Sequence, residues 1–391
     1  VPVAAPTASS APVSTGVAGG GDPADYVRPA GLAQKYLPHR HPHDELLEPD
    51  GSIRGHWSAM VSMLDDLGPQ HLLERQAQAQ RLIREDGITY NVYDHTEDQA
   101  RPWDLDVLPL LIPAAEWNQT GAALAQRARL LDMLVADLYG EGRCLSEGLL
   151  PPELVYNNPG YLRPCKGLEP RKGRWVHLYA ADLLRSADGR MHVVDDRTQS
   201  PSGAGYTLEN RIVVSRVLPT PFAQCNVLRL APFFMALQRT LKLLSDRDDP
   251  RIVLLTPGPL NETYFEHAYL AKYLGYTLVQ GNDLTVRDWR VYLKTLAGLQ
   301  RVDVILRRVD DAFCDPLELY SRSYLGVPGL LQALREGTVA MANVIGTGVV
   351  QAPAFLPYLS RLCRFFLSEE LAMPSIPTWW CGDKSSVAYV L

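Results

Sequence analysis

From Tyr26 to about Asp86 apolar residues recur three and four apart, the period of helices with one buried face. The stretches "HWSAMVSMLDDLG" and "LLERQAQAQRLIREDG" each close on a glycine, a common helix stop. "RPWDLDVLPLLIPAAEW" interrupts the period with three prolines and predicts an extended or looped connection. "GAALAQRARLLDMLVADLYGEG" restores it as an amphipathic helix closed by Gly140. Farther on the pattern alternates. "RIVLLT", "YTLVQ", "VDVILRR" and "TVAMANVIG" predict strands, while "NETYFEHAYLAKYLG", "GVPGLLQALREG" and "PAFLPYLSRLCRFFLSEEL" predict the helices between and after them.

Strands alternating with helices imply a parallel sheet with crossover helices, a Rossmann-like layer near residues 245–370. The expected class is mixed α/β, and 391 residues are enough for two domains. We place a helical segment and a hairpin lobe in 23–240 and the Rossmann-like domain in 241–391. Residues 1–22, rich in Ala, Pro, Ser and Gly, read as a disordered tail without the shape of a secretory signal.

Composition removes several classes. A net charge of −6 argues against a nucleic-acid partner, and no apolar run reaches the roughly 18 residues of a membrane span. The six cysteines are scattered, with no C-x-x-C pair, which predicts reduced thiols in a cytoplasmic protein. The cluster "HRHPHDE" (His39, His41, His43) is interrupted by prolines and reads as a solvated loop rather than a metal site.

The chemistry concentrates in "WVHLYAADLLRSADGRMHVVDDRTQSPSGAGYTLENR". Asp188-Gly189 is a strong hairpin-turn dipeptide. With a two-residue loop, Ala187 pairs with Arg190 and Asp182 falls opposite Asp195. Opposed like charges on one face are destabilising unless something positive lies between them. A divalent cation such as Mg²⁺ would serve. So would Arg197, which alternates onto the same face as Asp195. A bulge would instead turn Asp196 to that face.

The loop that follows, with Ser202, Gly203 and Gly205, can either wrap a phosphate at a helix start or simply connect strand to helix. Arg307 and Arg308 end a predicted strand, where open α/β sheets bind ligands. They read as a carboxylate or phosphate site or as an ion-pair cluster with Asp310 and Asp311. Asn261 reads as a helix N-cap. Glu266 and His267 stand in the first turns of that helix as possible substrate contacts. Gly346 and Gly348 form a short "GTG" like a fragment of a dinucleotide loop.

"RPWDLDVLPLLIPAAEW", "DRTQSPSGAGYTLENR", "TPGPLNETYFEHAYLAKYLGYTLVQGNDL", "LRRVDDAFCDPLEL", "GVPGLLQALREGTVAMANVIGTGV" and "IPTWWCG" resemble the circularly permuted type 2 ATP-grasp family. That family is related to glutathionylspermidine synthase-like amide ligases, and the resemblance runs from about Tyr26 to Leu391. It implies a partial ATP-grasp fold, ATP and Mg²⁺ as cofactors, and a carboxylate and an amine, small molecules or peptides, joined through an acyl phosphate. It also implies the long branch, in which a helical alpha-E domain follows. In a ligase lobe of this kind we expect Asp182 and Asp195 to hold the metal, Arg197 and the Ser202–Gly205 loop to steady phosphate, and Arg307 and Arg308 to hold a substrate carboxylate.

Two positions depart from the family. Its hairpin usually reads Glu-Asp-Asn, and Arg197 stands at the Asn; an arginine has no acceptor atom for a metal. Where the family commonly has Asp-Asp-Lys after the glycine pair, this chain has "VVQAPAF", with Pro353 at the lysine's place. Relatives also continue past "VAYVL" into further nucleotide-binding lysines, so the chain is expected to carry only part of the cleft. The alternative expectation is a non-catalytic binding module with its metal site closed by Arg197.

Overall fold

The computed structural model describes residues 36, 43–91 and 100–391. The expected tail over 1–22, and His39 and His41 of the histidine cluster, lie outside the described residues. Helix α1 (Ser58–Glu85) carries the two predicted helical stretches, broken at Gly68, whose φ of 75° and ψ of 163° leave the helix just before Pro69. Strands β1 (Thr89–Asn91) and β2 (Ala100–Pro102) pair antiparallel. The proline-rich connection follows. Helix α2 (Ala114–Tyr139) starts directly after its last proline, Pro113, seven residues ahead of the predicted stretch, and stops at Gly140.

Strands β3 (Ala180–Arg185) and β4 (Met191–Arg197) form the predicted hairpin. Helix α3 (Ala204–Val217) begins at the Gly203 turn, and α4 (Ala231–Leu243) leads to β5 (Ile252–Leu255). Helix α5 (Tyr264–Leu274) and β6 (Thr277–Val279) follow. Then come β7 (Leu284–Arg287), β8 (Arg290–Thr295) and β9 (Gly298–Arg301), β10 (Val304–Arg307), α6 (Leu330–Arg335), β11 (Ala340–Ala342) and α7 (Leu359–Leu367).

The predicted parallel sheet is present, in the order β11-β10-β5-β6. All four residues of β5 and of β10 are buried, as in a sheet covered on both faces. Alternate residues divide between two cores. Ile252, Leu254, Val304 and Leu306 pack with Phe234, Leu237 and Leu241 of α4 and Leu270 of α5. Val253, Leu255 and Ile305 join a larger cluster that includes Leu130, Leu134 and Leu138 of α2 and Leu359 and Leu362 of α7. The expected boundary at 240/241 therefore falls inside α4, and helices from the first expected unit cover the sheet of the second.

The antiparallel meander β7-β8-β9 has no counterpart among the predicted strands. Its first turn runs through Asp288 (φ 49°) and Trp289 (φ 59°), left-handed residues without the glycine that marks such turns in a sequence. Helix α7 is shorter than predicted. Pro353 and Pro357 lack the amide hydrogens that an α-helix needs, and residues Pro353–Tyr358 form tight 3₁₀ turns instead.

Candidate functional site

The hairpin brings Asp182 and Asp195 opposite one another by two offsetting irregularities. The loop holds three residues, not two: Ser186 N donates to Arg190 O at 2.9 Å and Gly189 takes φ 80°. Leu183 consequently pairs with Val193, one step from the two-residue register. A bulge then leaves Val194 as the extra residue, and Asp182 pairs with Asp195 after all. The turn slips the register and the bulge restores it.

Arg197 occupies the space between the two acids. Its Nη2 lies 2.8 Å from Asp182 Oδ2 and 3.1 Å from Asp195 Oδ2. The side chains are open to solvent, 50% exposed for Arg197, 56% for Asp182 and 26% for Asp195. The Asp182 hydrogen bond, ahead of the charges of both acids, holds the Arg197 guanidinium above its ordinary range.

Asp196 points the other way, into the core. It takes Arg127 Nε and Nη2 bidentate, both at 2.7 Å, and the Tyr179 hydroxyl at 2.6 Å. Burial, and after it the Asp196 charge, pushes the Tyr179 phenol far above its usual range. Sequence reasoning missed this cluster. Its signal was an arginine at position 127 on the apolar stripe of α2, between Ala123 and Leu130.

The segment after the hairpin is fastened over the carboxyl ends of the parallel strands. Asn343, following β11, donates to Leu178 O and Thr198 O and accepts the His177 and Leu178 amides. Gln351 Oε1 accepts the Thr198 and Gln199 amides. Arg307 is fully engaged: Nε with Asn343 O at 3.0 Å, Nη1 with Val309 O at 2.7 Å, Nη2 with Gln199 O at 2.9 Å. Its Nη2 is also 2.8 Å from Asp311 Oδ1, an ion pair without hydrogen-bond alignment.

Both glycine loops are met by acids of the protein itself. Glu266 accepts the Gly203 amide at 2.7 Å and the Gly205 amide at 3.3 Å, at the start of α3. A Cβ on Gly205 would stand 2.9 Å from Glu266 Cγ, so glycine is what lets the carboxylate close on the helix. Asp311 Oδ2 accepts the Gly348 amide at 2.8 Å. Gly346, at φ 103°, packs against the Tyr139 ring and accepts its hydroxyl at 3.2 Å. These N–H groups fit an anion, and an internal one has them; a phosphate at either loop would have to displace a buried acid. Ser202 is exposed on the outer side.

Arg308 differs from Arg307. It is 4% exposed, donates from Nη1 to the Pro201 carbonyl, and leaves Nε and Nη2 buried without partners. Burial drives its pKa below the usual range; Glu266 raises it and Arg307 lowers it further. His267 bonds Thr256 Oγ1 at 2.9 Å and Thr263 Oγ1 at 3.2 Å, and burial lowers it to about 3. The helix N-cap is Thr263 rather than Asn261, whose Oδ1 accepts the Thr263 amide at 3.0 Å.

The donor set suits magnesium in kind. Asp182 and Asp195 turn carboxylates to one side of the ribbon, and a guanidinium nitrogen lies between them. Among the described residues no group of three or more His, Cys, Asp or Glu side chains gathers for a metal. An ion held here would have two protein side chains and complete its shell with water and phosphate. Among the described residues no helix is long and apolar enough to cross a membrane.

The fold is mixed α/β, with a four-stranded parallel sheet and an antiparallel hairpin. The family described as circularly permuted ATP-grasp type 2 matches residues 109–391, and the chain belongs to it. An uncharacterized protein of Mycobacterium tuberculosis is 38% identical over 359 residues, 89% of this chain and 41% of its own length. One of Synechocystis is 35% identical over 351 residues, 89% of this chain and 73% of its own. The chain thus spans under half the length of the mycobacterial relative. A glutathione synthetase-like effector of Globodera pallida, in apo form, matches with TM-score 0.51 at 16% identity, over 78% of this chain and 69% of that one. At that identity the likeness speaks for the fold alone.

Proposed function

We propose that the intact protein is an ATP-dependent carboxylate–amine ligase and that this chain supplies the lobe carrying its acids. The observation behind the reading is the pair Asp182 and Asp195, facing one way and sharing one cationic atom. ATP with Mg²⁺ would supply the phosphoryl group that activates a carboxylate as an acyl phosphate for attack by an amine. Asp182 and Asp195 hold the metal. Arg197, half exposed and anchored only by those acids among the described residues, turns its planar fork to phosphate oxygens. Catalysis of this kind is mainly positioning and neutralisation of charge. The substrates are a small-molecule or peptide carboxylate and an amine.

One observation favours a second reading, a binding module without catalysis. Arg197 already neutralises both acids, and the glycine loops are filled from inside. Calorimetric titration of the full-length protein with Mg–ATP decides between them. Heat that is lost in Asp182→Asn supports the ligase. No heat in the wild type, or the same heat in Asp182→Asn, removes it in favour of the module.

A further inference from the structure

Two arginines in this protein take a carboxylate by the same edge. Arg127 uses Nε and Nη2 for the two oxygens of Asp196, and Arg364 uses the same two nitrogens on Glu370, at 2.7 and 2.9 Å. Arg308 presents that edge buried and empty. Among the described residues it makes no ion pair, and its single acceptor is the Pro201 carbonyl on the opposite nitrogen. A guanidinium out of water and unpaired is strongly unfavourable, so a fold that keeps one has a use for the open edge.

The surroundings narrow that use. Arg308 directly follows β10, at the carboxyl end of the sheet, and its amide bonds Leu255 O at the end of β5. Neighbouring polar groups are committed to each other. Glu266 holds the start of α3, and the Thr256 hydroxyl meets His267 and the Gly258 amide. Arg307 has no free edge. The segment Ser200–Gly203 is bound here at two points, the Pro201 carbonyl on Arg308 Nη1 and the Gly203 amide on Glu266.

We propose that Arg308 is the recognition group for an oxyanion of the ligand, a carboxylate or a phosphate, which it grips bidentate through Nε and Nη2. The inference rests on the ligase reading for the identity of that anion, the carboxylate of the substrate to be activated.

The test uses the full-length protein without nucleotide or Mg²⁺. L-glutamate and inorganic phosphate are titrated separately by calorimetry, and the unfolding temperature is measured with and without each. Wild type is expected to bind and be stabilised by L-glutamate. Arg308→Met should bind it at least tenfold more weakly and Arg308→Lys to an intermediate degree. Unliganded Arg308→Met should melt no lower than wild type, because an unpaired buried charge has been removed. Response to phosphate alone keeps the oxyanion site and reassigns its ligand. The proposal is overturned if wild type responds to neither anion. It is equally overturned if Arg308→Met binds as wild type does, or if it melts well below wild type while Arg308→Lys restores stability without restoring binding. Loss of Mg–ATP binding with L-glutamate binding intact would remove the ligase reading and leave this site standing.

Discussion

Arg127 and Asp196 form a two-pronged buried pair, both bonds 2.7 Å, on the opposite side of the ribbon from Asp195. The pair fixes which way β4 faces, because side chains alternate and Asp196 cannot leave the core without stranding a guanidinium. Asp196→Ala is predicted to cost about 3–5 kcal/mol, the range for breaking a buried pair from one side. Arg127→Met combined with Asp196→Leu should recover most of that loss. Urea unfolding of the wild type and the two variants checks it; a cost for Asp196→Ala under about 1 kcal/mol would mean that the pair does not hold the hairpin.

Arg197 has the opposite character. Both its ion pairs are solvent-open, so Arg197→Ala should change stability by no more than about 1 kcal/mol. What changes is the competition for the acids. With the guanidinium gone, millimolar MgCl₂ should raise the unfolding temperature more than in wild type, and Arg197→Asn, which adds an acceptor oxygen, should raise it further. Asp182→Asn in the Arg197→Asn background should abolish the gain. An equal response to MgCl₂ in all four proteins would show that the acids do not take the ion.

Much of this fold is legible in the sequence because period and punctuation agree. The strands β5, β6, β10 and β11 are short apolar runs between glycine- and proline-marked turns, and all four appear where expected. The meander is not legible, since Asp288 and Trp289 adopt positive φ without any sequence mark. At the hairpin the pairing of Asp182 with Asp195 is reached although the assumed turn is one residue too short. The bulge at Val194 cancels that error, and no local rule predicts it. The partners of the glycine loops are not legible at all. Glu266 lies 61 residues from Gly205 and Asp311 lies 37 from Gly348, and only the folded sheet edge brings them together.

Glu266 and Gly205 should be energetically coupled. Adding a methyl group at Gly205 places it 2.9 Å from Glu266 Cγ, a contact that real side chains do not make. Gly205→Ala is predicted to cost about 1–3 kcal/mol as overpacking. Glu266→Ala should cost a similar amount by leaving the Gly203 and Gly205 amides unpaired at a buried helix start. In the double variant the methyl group meets no carboxylate, so the total should fall below the sum by at least about 0.5 kcal/mol. Additive losses in a double-mutant cycle would contradict the contact.

Acid should weaken the native state through two histidines. Burial, with the Arg308 charge behind it, lowers His267 to about 3, and burial, with Arg174 behind it, lowers His177 to about 4. An unfolded histidine takes its proton near pH 6.5. Between that pH and the folded values the unfolded chain binds protons that the native chain refuses, so stability falls as the pH drops from about 6.5 toward 4 for His177 and toward 3 for His267. Each contributes a slope of up to about 1.4 kcal/mol per pH unit inside its window. His177→Gln and His267→Gln should each flatten the loss between pH 6.5 and 4.5, whatever their stability at pH 7.5. Urea midpoints at those pH values give the comparison. A slope unchanged by both substitutions would show that neither histidine carries the acid sensitivity.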